Sequence, residues 1–266
     1  LQSAGKNPPS FGLNSKLVKK NGIITEDVCK IGGLYSEAIE QIVFWLNKAV
    51  PVAENQHQQR VIESLVKYYE TGDLTTWDEY NVLWVKDVDS HIDFVNGFIE
   101  NYGDPLGIKA TWESIVNFKD IVATRRAETI GSNAQWFEDH SPVDPKFRKS
   151  EVKGVTAKVI TVAQLGGDCY PSTPIGINLP NADWIRKEHG SKSVSIENIT
   201  YAYDQASLGN GLIEEFAVSP EEITLAKKYG NLAGNLHTDL HECLGHGSGQ
   251  LMPGTRGDEL KNYGSP

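Results

Sequence analysis

The chain has 266 residues, a formal net charge of −10 and an isoelectric point near 5.2. Hydrophobic residues make up 39% and charged residues 23%, a balance typical of a folded soluble protein rather than of a disordered chain. The acidic balance argues against a partner such as nucleic acid or an anionic membrane, because both need a basic surface.

The three cysteines are odd in number and widely spaced. This pattern does not predict a disulfide framework and favours a reducing compartment such as the cytoplasm. The sequence contains no run of about 18 apolar residues and no basic-then-apolar N-terminus. Because the chain starts at Leu1, has Met252 as its one methionine and ends in a turn-like run at Pro266, we expect an internal fragment of a longer protein.

The first third of the chain predicts helices. After a loop-like segment over 1–33, apolar residues at helical spacing predict a helix from Ser36 to Pro51. The same spacing predicts further helices over about 53–70 and 75–86.

The middle of the chain predicts mixed structure. An Asn-Gly pair within 92–100 predicts a hairpin, and apolar spacing over 112–138 predicts a return to helix. A connector is expected over 141–154, and alternating β-branched residues predict a strand over 155–162. Glycines and prolines over 166–180 indicate an irregular loop region.

The C-terminal quarter predicts two helices. The run Ser-Pro-Glu-Glu at 219–222 provides a cap, a proline at the first helical position and a capping-box glutamate. This helix is expected to stop at Gly230. A second helix is expected from Leu232 into His246, and the glycine-rich run at 247–249 ends it.

The most informative motif is His-Glu-Cys-Leu-Gly-His at 241–246. Helical histidines that share a zinc ion are normally four residues apart, which places their rings about 40° apart around the helix. His241 and His246 are five apart, about 140° on a regular helix, so they cannot share a metal there. We therefore predict one wide turn of the i→i+5 type, which Gly245 permits.

The residues of this motif suggest distinct roles. Neutral imidazole suits Zn²⁺, so His241 and His246 are predicted zinc ligands. Glu242 is predicted to be the general base that takes a proton from the zinc-activated water. His237 and His241, four apart, remain an alternative pair, as does a metal-free histidine-rich helix. Cys243 is expected to be a packed thiol rather than a ligand.

Three motifs resemble those of the dipeptidyl peptidase III family. The motif at 241–246, followed by Gly-Ser-Gly, is the first. Gly-Phe-Ile-Glu-Asn-Tyr-Gly-Asp-Pro at 97–105 resembles the family's Gly-Phe-Ile-Glu-x-Tyr-x-Asp-Pro. Pro-Ile-Gly-Ile-Asn-Leu-Pro-Asn at 174–181 resembles its Gly-Ile-Asn-x-Pro-Asn segment. The three motifs occur in the family order.

The resemblance implies an α+β, mainly helical fold with two lobes, a helical zinc lobe and a lobe with a small β-barrel, incomplete in this fragment. It implies that 1–110 and the β-rich segment 151–205 belong to the lower lobe. The helical segment 111–150 and the zinc-binding part 206–266 then belong to the upper lobe.

The implied activity is zinc-dependent release of dipeptides from the N-terminus of short oligopeptides. The resemblance places the third zinc ligand, a glutamate, in a later motif outside this chain. Within the chain Glu259 lies too close and in a glycine-rich loop. We therefore expect the remainder of the polypeptide to be needed for activity and this fragment to be inactive.

The resemblance also implies substrate-binding residues. Asn178 and Asn181 would bind the main chain and N-terminus of the peptide, although turn chemistry also explains these asparagines. Asp93 stands where the family has a glutamate that pairs with the substrate ammonium group, a charge-assisted contact. Val95 stands where the family often has a tyrosine near the scissile bond.

Two other functions are compatible with the sequence. One is a non-catalytic, zinc-stabilised peptide-binding module, which a closed four-ligand site would indicate. The other is an endopeptidase of another zinc family, which products longer than dipeptides would indicate.

Overall fold

The computed structural model describes residues 12–152, 155–246 and 249–250. The strands are β1 (Ser15–Lys20), β2 (Ile23–Val28), β3 (Ile92–Phe98), β4 (Trp112–Lys119), β5 (Val155–Gly167), β6 (Gly176–Leu179) and β7 (Ser191–Ile196). The helices are α1 (Ser36–Ala49), α2 (Gln56–Thr71), α3 (Leu74–Lys86), α4 (Ile121–Ser132), α5 (Ala134–His140), α6 (Asp183–His189), α7 (Glu197–Ser207), α8 (Leu212–Phe216) and α9 (Pro220–Leu240). Short 3₁₀ turns lie at Val50–Val52 and Pro145–Phe147.

The three helices predicted in the first third of the chain are confirmed as α1, α2 and α3. Side-chain caps define two of their starts: Asn55 accepts hydrogen bonds from the first amides of α2, and Asp73 accepts one from α3. Aromatic rings on α2 and α3 form the main core, with Trp77 lying 4.9 Å from Tyr68 and 5.1 Å from Tyr80 between ring centroids.

Five strands form one mixed sheet in the order β3-β4-β5-β7-β6. The β5–β7 pair is parallel and the other pairs are antiparallel. The α+β class is therefore confirmed. The described strands form this open sheet and the β1–β2 ribbon, so they do not make the small β-barrel that the resemblance implied.

The predicted hairpin at 92–100 is wrong. Asn96 and Gly97 continue strand β3 and pair with Ser114 and Glu113 of β4. The glycine serves packing rather than a turn, because a Cβ at position 97 would lie 2.7 Å from Cζ3 of Trp77. A local turn signal was thus outweighed by a tertiary contact between the strand and α3.

The helix predicted over 112–138 begins later, at Ile121. Its first eight residues form β4, in which Glu113, Ile115 and Asn117 alternate inward, and Asp120 then caps α4. The predicted strand at 155–162 is confirmed but runs on to Gly167, and part of the expected irregular region forms β6. Thus the segment 111–150 contributes a strand to the sheet as well as helices.

The two helices predicted near the C-terminus are one continuous helix, α9, followed by a wide turn. Its start is as predicted, since Ser219 accepts a hydrogen bond from the amide of Glu222. It runs through Gly230, which was expected to end it. None of the described helices combines the length and apolar character needed to cross a membrane.

Candidate metal centre and peptide site

The wide turn predicted from the histidine spacing is present. Residues His241–Gly245 form one π turn, and the amide of His246 donates to the carbonyl of His241 over 3.1 Å. The rings of His241 and His246 consequently lie 4.8 Å apart between centroids, whereas those of His237 and His241 lie 6.5 Å apart. The extra residue is absorbed as predicted, and the five-apart pair is the closer one.

Strand β7 satisfies a carbonyl that the π turn displaces. In a regular helix the carbonyl of Glu242 would accept from the amide of His246, but that amide bonds to His241 instead. The hydroxyl of Ser193 donates to the Glu242 carbonyl over 2.9 Å, and Nδ2 of Asn178 approaches the same oxygen at 3.4 Å. The sheet therefore supplies the donors that this distorted backbone needs.

The π turn gathers three potential metal-ligating side chains. Ligand atoms of His241, Glu242 and His246 all lie within 4.8 Å of one another. Desolvation, the neighbouring His241 and the positive charge of Arg186 lower the pKa of His246. A lowered pKa keeps the imidazole neutral, so that a ring nitrogen has a free lone pair for a cation.

The Glu242 carboxyl group is buried beside these rings, with the residue only 5% exposed. Burial raises its pKa to about 7, and the charge of Arg186 opposes this rise. Its Oε2 atom has no hydrogen-bond partner among the described residues. Since buried acceptors are almost always satisfied, this oxygen is a site for a donor such as a water molecule.

A glycine makes room for this carboxyl group. A Cβ at Gly176 would lie 2.8 Å from both Cγ and Cδ of Glu242, closer than side-chain contacts allow. The first glycine of the Gly-Ile-Asn motif therefore lets β6 pass directly beneath the glutamate.

The two predicted substrate-binding asparagines lie beside this site and are held by one arginine. The guanidinium of Arg186 donates to the main-chain oxygen of Asn178 over 2.8 Å, to Oδ1 of Asn181 over 3.1 Å and to the carbonyl of Pro180 over 2.8 Å. Oδ1 of Asn178 has no partner among the described residues. It is thus a buried acceptor available to a donor from outside the chain.

Asp93 lies in the core instead. Its Oδ2 accepts from Lys192 over 2.8 Å, with Lys158 at 3.7 Å, and its Oδ1 accepts from the indole of Trp84 over 3.0 Å. Lys192 is completely buried and lies 4.2 Å above the Trp84 ring. The carboxylate is matched by charges of the protein itself, so the structure lends no support to its expected contact with a substrate ammonium group.

Val95 lies on the wall of a cavity of about 20 Å³, room for one water molecule. Trp77, Tyr80 and Asn181 also line it, so the cavity borders the loop that carries Asn181. Cys243 is a buried free thiol whose pKa burial raises to about 12, which confirms it as a packed side chain. Glu259 lies outside the described residues.

Sequence reasoning missed Ser193, Arg186 and Gly176. Ser193 had a readable signal, since serine at every second position of β7 indicates a polar strand face. Arg186 follows the asparagine motif on α6 and had no such signal, because its role depends on how the loop folds back.

Comparisons with known proteins found a matching family, relatives in sequence and similar solved structures. A family model described as peptidase family M49 matches residues 13–264. Dipeptidyl peptidase 3 of Nematostella vectensis is 30% identical over 232 residues, covering 83% of this chain and 29% of the relative. Dipeptidyl peptidase 3 of Dictyostelium discoideum is 27% identical over 225 residues, covering 83% and 30%.

The solved structure of DPP III from Caldithrix abyssi resembles the fold with a TM-score of 0.77 at 22% identity. That similarity covers 90% of this chain and 44% of the other. The chain thus spans about 30% of the length of the relatives that it matches in sequence.

Proposed function

We propose that this chain, which belongs to peptidase family M49, is the part of a zinc-dependent dipeptidyl peptidase that carries two zinc ligands and the general base. The observation that supports this proposal is the π turn, which brings His241 and His246 together beside the unpartnered oxygen of Glu242. Because the chain spans about 30% of its relatives, the activity is proposed for the parent protein.

The residues fit a zinc ion. His241 and His246 offer ring nitrogens, and an open catalytic zinc site takes three protein ligands. The third ligand would come from the parent protein outside residues 1–266, as the family resemblance implies. When bound, zinc lowers the pKa of a coordinated water from 15.7 to about 7, which supplies a nucleophile at neutral pH.

Glu242 is suited to hold and pass on a proton. Burial raises the pKa of its carboxyl group to about 7, which suits a group that takes a proton during attack and returns it to the leaving amine. The missing side chain at Gly176 leaves the space that the carboxyl group occupies. Glu242 therefore acts as base and then as acid at one atom.

The asparagines give the site a way to bind an extended peptide. The free Oδ1 of Asn178 accepts a main-chain N–H, and Asn181 is fixed by Arg186 at the start of the same loop. The relatives are named dipeptidyl peptidase 3, so short oligopeptides are the proposed substrates. The buried free thiols support a cytoplasmic location, which cell fractionation of the parent protein tests.

The test is Glu242→Gln in the parent protein. Loss of the base is expected to lower kcat at least about 100-fold while bound zinc, measured by elemental analysis, is retained. Glu188→Gln, an exposed glutamate on α6, is the control for the charge change and should leave kcat unchanged.

Three other outcomes would contradict the proposal. Equal loss of zinc from Glu242→Gln would make Glu242 a ligand instead of the base. Products longer than dipeptides would indicate an endopeptidase. A parent protein that binds zinc in a closed site and cleaves no peptide would be a binding module.

A further inference from the structure

Helix α9, which leads into the π turn, is almost entirely exposed. It has 21 residues, all described, and Asp239 is the one that is buried, with no accessible surface. Apolar packing therefore does little to fix the end of this helix. Asp239 stands two residues before His241, so whatever holds it also determines where the metal-binding turn begins.

Both oxygens of Asp239 are bound by separate elements. Oδ1 accepts from the hydroxyl of Ser195 on β7 over 2.6 Å, and Oδ2 accepts from Nε of Arg126 on α4 over 2.8 Å. The other arm of Arg126 pairs with Glu197 at the start of α7. One carboxylate thus ties the helix end to the sheet and to two helices.

The partners of Asp239 are themselves firmly placed. On α4, the hydroxyl of Thr124 donates to the carbonyl of Val159 over 3.1 Å and accepts from its amide over 3.0 Å, which fixes α4 to β5. Ala127 of α4 packs in a small buried cluster with Val159 and with Cys243 of the π turn. The contacts of Asp239 therefore connect α9 to α4 and β5, which are themselves held together.

We propose that Asp239 is a positioning residue that fixes the rotation and height of the end of α9, so that His241 and His246 present their nitrogens to one zinc ion. Each helical residue advances about 100° and 1.5 Å, so a slip of one residue would turn the His241 ring away from its partner. This inference rests on the proposed zinc site.

The buried ion pair between Asp239 and Arg126 supports a positioning role for Asp239 over simple stabilisation. Burying an ion pair usually contributes little net stability, because desolvation offsets the attraction. A polar anchor with two directed hydrogen bonds, however, accepts one helix orientation and rejects others. Within α9 itself Asp239 is the residue that meets this requirement, because the rest of the helix is largely exposed; the π turn is held separately, by Ser193 and by the packing of Cys243.

The test uses the parent protein and Zn²⁺ alone, titrated in competition with a chromophoric chelator. Asp239→Asn is expected to weaken zinc binding on the order of 10-fold, the range seen when groups that orient metal ligands are removed. Ser195→Ala should weaken it in the same direction but less. The matched control is Arg125→Gln on the exposed face of α4, which should bind zinc like the wild type.

Circular dichroism identifies variants that are folded at the titration temperature, and a purely structural role would lower their melting temperature without changing zinc affinity. If Asp239→Asn fails to fold, the same zinc titration is made with Ser195→Ala and with the doubly neutralised Asp239→Asn/Arg126→Gln variant. Folded variants that bind zinc as tightly as the wild type would overturn the inference alone. A wild-type parent protein that binds no zinc in the same titration would overturn the zinc site as well.

Discussion

Replacing Gly176 by alanine tests whether β6 sets the environment of the proposed general base. The new Cβ would lie 2.8 Å from Cγ and Cδ of Glu242, and contacts under 3.0 Å force a shift. The backbone at Gly176 has no positive φ, so the substitution adds the clash without backbone strain. The Glu242 carboxyl group must then move by roughly 1 Å, towards solvent or away from the histidines.

The size of the effect follows from the pKa of Glu242. Burial raises this pKa from 4.5 to about 7, a shift that corresponds to about 3 kcal/mol between the two protonation states. A displaced, better solvated carboxyl group should regain part of its ordinary pKa, so we expect Gly176→Ala to lower the pKa by about one unit or more. In the parent protein a misplacement of about 1 Å is expected to lower kcat on the order of 100-fold.

The assay is ¹³C NMR titration of the Glu242 side-chain carboxyl carbon in the metal-free chain. Gly230→Ala is the control for an added methyl group, because its Cβ would meet nothing within 4 Å. The control should leave the Glu242 titration unchanged. If Glu242 of the Gly176→Ala variant also titrates near pH 7, with unchanged stability, then the glycine does not shape this site.

Two further predictions concern buried charges away from the π turn. Asp93→Asn should lower the free energy of unfolding in urea by roughly 3–5 kcal/mol, because it leaves Lys192 buried without its counter-ion. A raised KM of the parent protein with unchanged stability would instead support the expected contact of Asp93 with the substrate. Burial and the nearby charge of Glu100 raise the pKa of Glu113 to about 7, so the native state holds this proton more tightly than the unfolded chain. The resulting stabilisation is complete below about pH 4.5 and is lost as the pH rises through 7, by up to about 3 kcal/mol. Glu113→Gln should remove this part of the pH dependence in urea titrations, and an unchanged profile would contradict the raised pKa.

The parts of the fold that were predictable are those in which local signals and packing agree. Helices α2 and α3 begin at side chains that cap their first amides, and their apolar faces point to one core. The π turn was predictable for a different reason. Two histidines five apart can share a metal only if the helix is distorted, so the metal role predicted for His241 and His246 required a wide turn, and the turn is present.

The misread segments are those in which a tertiary contact outweighs a local signal. Asn96-Gly97 resembles a hairpin turn, but Trp77 packs against the glycine and keeps the strand extended. Apolar residues from Ile115 onward fit a helix until pairing with β3 and β5 makes them a strand. The substrate contact assigned to Asp93 by resemblance stays a prediction, and no local feature indicated the buried lysines that surround this carboxylate.

The alternation of side chains along strand β7 explains why one face of this strand contacts both Glu242 and Asp239. Ser193 and Ser195 lie on one face, where the first contacts the carbonyl of Glu242 and the second contacts Asp239. Lys192 lies on the opposite face, within the core. Because strand faces alternate with every residue, a shift of β7 by one position would exchange serine hydroxyls for a buried lysine beneath the π turn. The ion pair between Asp93 and Lys192 in the core therefore helps to set the register of β7, which keeps Ser193 and Ser195 on the face towards Glu242, the proposed general base, and Asp239.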